Sequence, residues 1–111
     1  MTPEDVARVE VEFGITLPKR YVDFLCNVTP DGAQWNFHLG IDILVEQNRD
    51  LRGTDYWEDH FFSIGHDGCG NEWCLNLKEQ TDAVWIWEHD PLDGFSVIFD
   101  SMDELFKCYD A

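Results

Sequence analysis

Apolar residues in the first quarter of the chain recur with helical spacing. Val6, Val9 and Phe13 mark one face of a first helix. Its start is signalled by Thr2-Pro3-Glu4-Asp5, where Thr caps orphan amides, Pro suits the first helical position and the carboxylates face the positive end of the dipole. Gly14 fits the left-handed stop, and Ile15-Thr16-Leu17-Pro18 is a short extended link whose Pro18 opens a second helix running to about Asn27. In that helix Tyr21, Phe24, Leu25 and Val28 stand at i, i+3, i+4 and i+7. Two consecutive helices therefore carry stripes that the rest of the chain must cover.

After a turn at Thr29-Pro30-Asp31-Gly32, the spacing predicts a strand over Trp35 to Leu39. Ile41 to Leu51 fits either a helix or an irregular segment and is read as a helix, followed by a long polar surface loop from Arg52 to His60. Phe61 to Gly65 reads as a strand, His66 to Asn71 as a glycine turn, and Glu72 to Leu77 as its hairpin partner. Asp82 to Glu88 and Phe95 to Phe99 are further strands about the turn Asp90-Pro91-Leu92-Asp93-Gly94. Ser101-Met102-Asp103-Glu104 is a capping box for a last helix carrying Met102, Leu105, Phe106 and Tyr109.

Helices bracketing an antiparallel meander, without βαβ alternation, predict an α+β fold with two N-terminal helices and a C-terminal helix packed on one face of the sheet. Strand parity adds a constraint. Val84 and Ile86 share one face while Trp85 and Trp87 share the other, so both faces need cover. In the neighbouring strand, Trp73, Leu75 and Leu77 alternate with Glu72, Cys74 and Asn76, which predicts a mixed apolar and acidic surface on one side.

A length of 111 residues suits one domain spanning 1–111. Seven Lys plus Arg against 23 Asp plus Glu give a net charge of −16, so direct nucleic-acid binding is disfavoured by repulsion. No apolar run approaches the roughly 20 residues that span a bilayer, and Met1 to Asp5 is acidic where a secretory signal is basic and then apolar. A cytosolic location with reduced thiols at Cys26, Cys69, Cys74 and Cys108 is expected.

Few constellations carry chemistry. His66, Cys69 and Cys74 stand as H-x2-C-x4-C, with His60 or His89 as a conceivable fourth ligand, but paired zinc knuckles are missing and the glycine turn already accounts for the segment. Cys69 with His66 or His89 lacks a nucleophile elbow, and Gly65-His66-Asp67-Gly68-Cys69-Gly70 lacks the Lys and Ser or Thr of a phosphate loop. Carboxylate pairs such as Glu88 and Asp90 are uninformative where carboxylates are this abundant. Neither metal, cofactor nor catalytic activity is expected. What remains is aromatic residues among carboxylates, Trp35 and Trp73 included, notably Asp55-Tyr56-Trp57-Glu58-Asp59 and Trp85-Ile86-Trp87-Glu88-His89-Asp90. Such groups suit a basic protein partner, aromatics serving as anchors and carboxylates as steering charge, even with about half the tryptophans in the core.

Three blocks resemble the SUKH superfamily, the Smi/Knr-type fold. The first is the helix end Glu12-Phe13-Gly14 continuing through Leu17-Pro18 to Tyr21, Phe24 and Leu25, similar to G-x-x-L-P-x-x-Y-x-x-F-L. The second is Ile64-Gly65-His66-Asp67-Gly68-Cys69-Gly70-Asn71-Glu72, and the third is Phe99 to Phe106, similar to a closing S-F-x-E-F/L helix. The chain departs from the usual Asn-Gly after the second helix, having Asn27-Val28-Thr29-Pro30-Asp31-Gly32. The resemblance implies an α+β fold and, in bacteria, an immunity protein that neutralises a cognate toxin, often a nuclease; eukaryotic relatives are regulatory scaffolds. The expected partner is thus a basic toxin domain, met by Tyr56, Trp57, Glu58, Asp59, Trp85, Trp87, Glu88 and Asp90. A regulatory interaction domain and a zinc-dependent enzyme at His66, Cys69 and Cys74 are the rivals.

Overall fold

Helix α1 spans Pro3–Phe13 and is closed at both ends by its own sequence. Thr2 Oγ1 accepts from Asp5 N at 3.1 Å while the Asp5 carboxylate accepts from Thr2 N at 3.2 Å, a complete capping box. Gly14 takes φ 63°, and Gly14 N and Ile15 N donate back to Val11 O and Glu10 O, which ends the helix in a Schellman turn. Helix α2, Lys19–Asn27, begins after Pro18 at the N-cap and buries Tyr21, Phe24 and Leu25. The computed structural model describes residues 1–28, 36–89 and 92–109. The turn expected at Thr29 to Gly32 lies outside them, as do Trp35, Asp90 and Pro91.

Ile41–Arg52 is a helix, α3, the preferred of the two readings of that segment, and with the closing α4 over Met102–Tyr109 the described residues form four helices. The sheet is an antiparallel meander in the order β1 (Phe61–His66), β2 (Glu72–Asn76), β3 (Val84–His89) and β4 (Leu92–Phe99). The fold is α+β. Two expectations require correction. Where a strand was expected over Trp35 to Leu39, the described residues make only a single bridge, Phe37 to Gly65, because the backbone turns away into α3 at Gly40. And β4 starts at Leu92 rather than Phe95, since a bulge and Gly94 at φ 82° let the ladder run on through residues that read as a turn.

The main core lies between the helices and one sheet face, where Phe62, Ile64, Trp73, Leu75, Val84 and Ile86 meet Val9, Tyr21, Leu25, Leu44, Met102 and Leu105. An aromatic row runs through it: Phe106 to Phe24 at 4.7 Å, Phe24 to Phe37 at 5.0 Å, Phe37 to Trp73 at 5.5 Å. Burial pushes the Tyr21 hydroxyl well above its ordinary pKa, and among the described residues that oxygen has no hydrogen-bond partner.

Helix α3 closes the β1 edge of the sheet. Asn48 is fully buried; its Oδ1 accepts from Ser63 N at 2.7 Å and its Nδ2 donates to Ser63 O at 3.0 Å, so one side chain replaces a neighbouring strand. Residues 36–38 finish the job, with His38 N donating to Ile64 O and His66 N to Asn36 O. Gly65 is required there, because a Cβ would lie 2.5 Å from Asn36 O.

Candidate functional site

The second sheet face is covered by the loop after α3 together with Leu51 from the end of that helix. Its cluster consists of Leu51, Trp57, Phe61, Cys74 and Trp87, with Trp85 and Phe95 partly buried against it. The loop after α3 folds back as a flap: Trp57 Nε1 donates to Phe61 O at 3.2 Å, and the indole packs edge-on against Phe95 at 5.1 Å and Trp87 at 6.4 Å. Phe61 stacks flat on Phe95 at 3.8 Å. This is the cover that strand parity demanded, since period-2 alternation sends Trp85 and Trp87 away from the helices.

The expected partner-binding residues are distributed unevenly about this cluster. Tyr56 is exposed and stacks on Trp87 at 4.6 Å and 16°, so it is an aromatic surface resting on a rigid base. Trp57 and Trp87, at 5% and 6% exposed, are inside the cluster and support the surface from below. Trp85 is half-buried, its Nε1 without an acceptor among the described residues. Glu58 and Asp59 are exposed on the same loop, held in place by Phe61 N donating to Glu58 O and by Arg52 Nη2 donating to Asp59 O. Alternation turns Glu88 to the opposite face from Trp87, so the fold does not bring it to Tyr56. Asp90 lies outside the described residues.

The mixed surface expected of Glu72, Cys74 and Asn76 is a correction: Glu72 and Cys74 are buried. Glu72 enters a polar network that no sequence motif announced. Its Oε1 accepts from Ser63 Oγ at 2.7 Å and Gln47 Nε2 at 3.2 Å, and His38 Nε2 stands 3.0 Å from Ser63 Oγ. Ser, His and carboxylate side by side invite comparison with a hydrolytic triad. The carboxylate lies nearer than the imidazole to Ser63 Oγ, 2.7 Å against 3.0 Å, and takes the hydroxyl proton in this arrangement, which leaves His38 Nε2 facing that oxygen as a donor rather than as its base. Ser63 is also fully buried. The network joins β1, β2 and α3.

The glycine hairpin is organised by Asp67. Partial burial pushes its carboxyl up, but hydrogen bonds from Asn71 Nδ2, Cys69 N and Asn71 N outweigh that and hold it below the ordinary value. Cys69 is exposed on the turn while Cys74 is buried in the second cluster, donating to Trp85 O, its thiol pushed up by burial and by Glu72. Among the described residues no three His, Cys, Asp or Glu side chains converge as metal ligands, and no helix is long and apolar enough to cross a membrane.

Charge is segregated more sharply than the total suggests. Residues 53–106 contain one lysine against 13 carboxylates, which is −12 of the chain's −16. Six of the seven cations lie outside that segment. Four of them are paired with carboxylates: Arg8 with Asp5, Lys19 with Asp23, Arg20 with Asp103 and Arg49 with Glu12. This block of charge was readable in the sequence as a run with a single cation, Lys78. A groove of about 790 Å³ between α1 and α3, floored by Ala7, Val11, Ile41 and Val45, lies on the helical side and contains none of the expected partner residues.

Comparison with known proteins agrees with the architecture. No curated protein matches the chain significantly. Residues 1–108, covering both helical blocks, the glycine hairpin and the closing helix, match the SMI1 / KNR4 family (SUKH-1), and the chain belongs to that family.

Proposed function

We propose that the protein is an immunity protein, a non-catalytic binder that neutralises a cognate toxin whose domain is basic and of nuclease type. Family membership is consistent with such a role. The observation that carries the reading is the pairing of a cation-poor sheet half, −12 over residues 53–106, with an exposed Tyr56 held flat on Trp87. A nuclease must present cationic surface to phosphate, so an inhibitor charged in this way is drawn to the patch the substrate uses. Tyr56 is the contact aromatic, Glu58 and Asp59 supply steering charge, and Trp57, Trp85 and Trp87 hold the surface in shape; Glu88 and Asp90 contribute to the field.

Co-expression with each large open reading frame beside the gene, scored for rescue of growth, is the test. A rescued toxin then permits binding measurements. Tyr56→Ala should weaken affinity by about 2 kcal/mol, roughly thirtyfold, with the melting temperature unchanged. Trp87→Ala should lower stability as well as affinity, since the indole is part of the cluster. Glu58→Gln with Asp59→Asn should mainly slow association and flatten its salt dependence. No rescued toxin, with a host protein bound instead, would replace this reading by that of a regulatory scaffold.

A further inference from the structure

The two edges of the sheet are treated oppositely. The outer side of β1 is closed by Asn48 and by residues 36–38, as described above. Among the described residues, no segment pairs with the outer side of β4, the last strand in the sheet order. Val97 and Ile98 on that strand are 49% and 43% exposed. Natural sheets usually blunt an open edge with lysine, proline or an inward charge. Residues 92–99 carry neither lysine nor proline. Bulges do limit the edge: the register slips between Val84 and Trp85 and between Glu88 and His89, leaving Gly94–Val97 in regular pairing with Trp85–Glu88. A run of that length offers roughly 13 Å of unpaired backbone.

Charge decides what fits there. Residues 79–106, which contain β3 and β4, hold eight carboxylates and no lysine or arginine. Pairing two copies through β4 would bring two such segments together in antiparallel register, and like charges across a new strand pair repel. An extended segment bearing Lys or Arg gains from the same field, and its backbone satisfies the open edge.

We infer that the outer edge of β4, centred on Gly94–Val97, is a docking strand for an extended, cationic segment of a partner protein, which adds a strand to the sheet. Val97 and Ile98 then pack against its apolar side chains. The inference rests on the proposed function only for the presence of a basic partner; it concerns how that partner is held.

The test uses the full, isotope-labelled chain at low salt and a synthetic peptide of about nine alternating Thr and Val residues, enough for one strand, with Lys at both ends. A Glu-ended version is the charge control. The expected result is slowed amide exchange and shifted resonances within residues 94–99, with the chain monomeric. In the double variant Val97→Lys and Ile98→Lys, the half-saturating concentration should rise about tenfold or more. The charge-matched double variant Val11→Lys and Ile43→Lys, at positions exposed on the helical side, should change it less than about twofold. The inference is overturned by no response in 94–99, by responses confined to the α1–α3 groove, by equal binding of the Glu-ended peptide, by equal losses in both double variants, or by self-association through β4. Growth rescue and peptide docking fail independently: rescue without an edge response removes this inference alone, and an edge response without any rescued toxin removes the toxin reading alone.

Discussion

Asn48→Ala tests whether one buried amide closes the β1 edge. The side chain makes three hydrogen bonds, from Ser63 N at 2.7 Å and to Ser63 O and Leu44 O at 3.0 Å each. Leu44 O keeps its helical partner, but the Ser63 amide and carbonyl face the interior with nothing in place of Asn48. An unsatisfied buried polar group costs about 1–3 kcal/mol, so the two together predict a loss of about 2–6 kcal/mol, with about 4 kcal/mol the central value. That is a large share of the roughly 5–15 kcal/mol that separates folded from unfolded domains. In urea, with a slope of about 1–3 kcal/mol/M, the central value lowers the midpoint by roughly 1–4 M at unchanged slope. Asn48→Asp should be worse than Asn48→Ala despite its matching shape, because a carboxylate oxygen then faces the Ser63 carbonyl. A loss below about 0.5 kcal/mol for Asn48→Ala would refute the reasoning, since Ser63 would then be satisfied without the side chain.

Three further outcomes follow from the same geometry. Gly65→Ala should destabilise by about 2 kcal/mol or more, because its Cβ meets the Asn36 carbonyl at 2.5 Å and the bridge to Phe37 must open; chemical denaturation measures it. Tyr21→Phe should raise stability by about 1 kcal/mol by removing a buried hydroxyl that has no partner among the described residues, and a loss in thermal melts would reveal an acceptor. Asp67 has a folded-state pKa below its unfolded value, so its contribution is full above the unfolded carboxylate pKa and disappears as pH falls through the folded one. The stability difference between the wild type and Asp67→Asn should therefore be greatest near neutrality and shrink progressively in acid, as denaturation series at several pH values will show.

The candidate site was partly legible. Parity alone placed Trp85 and Trp87 on the face away from Val84 and Ile86, whereas Glu88, expected beside Trp87 at the partner site, alternates to the opposite face. The role of Trp57 was not legible: in the sequence it sits among Asp55, Glu58 and Asp59 like a surface anchor, yet the loop folds over the sheet and buries it. Loop residues lack a periodicity that would reveal which side chain turns inward. The buried contact of Glu72 with Ser63, Gln47 and His38 escaped for a related reason, since its partners lie 9, 25 and 34 positions away.

What the sequence determined by itself was local. Thr2, Pro3 and Gly14 bound the first helix, Gly68 and Gly70 turn the first hairpin, and the spacing of Tyr21, Phe24 and Leu25 orients the second helix, because caps, positive φ and helical period act within a few residues. The cation-poor run from residue 53 to 106, with Lys78 its one basic residue, was likewise there to be counted. Tertiary structure decided everything that depends on segments far apart in the chain: that α3 seals β1 while the outer side of β4 is left unpaired among the described residues, that Trp57 becomes a lid, and that Tyr56 is left exposed on Trp87. Those outcomes arise from hydrogen bonds and ring contacts between elements that meet only when the sheet is assembled, and no pattern within a single element encodes them.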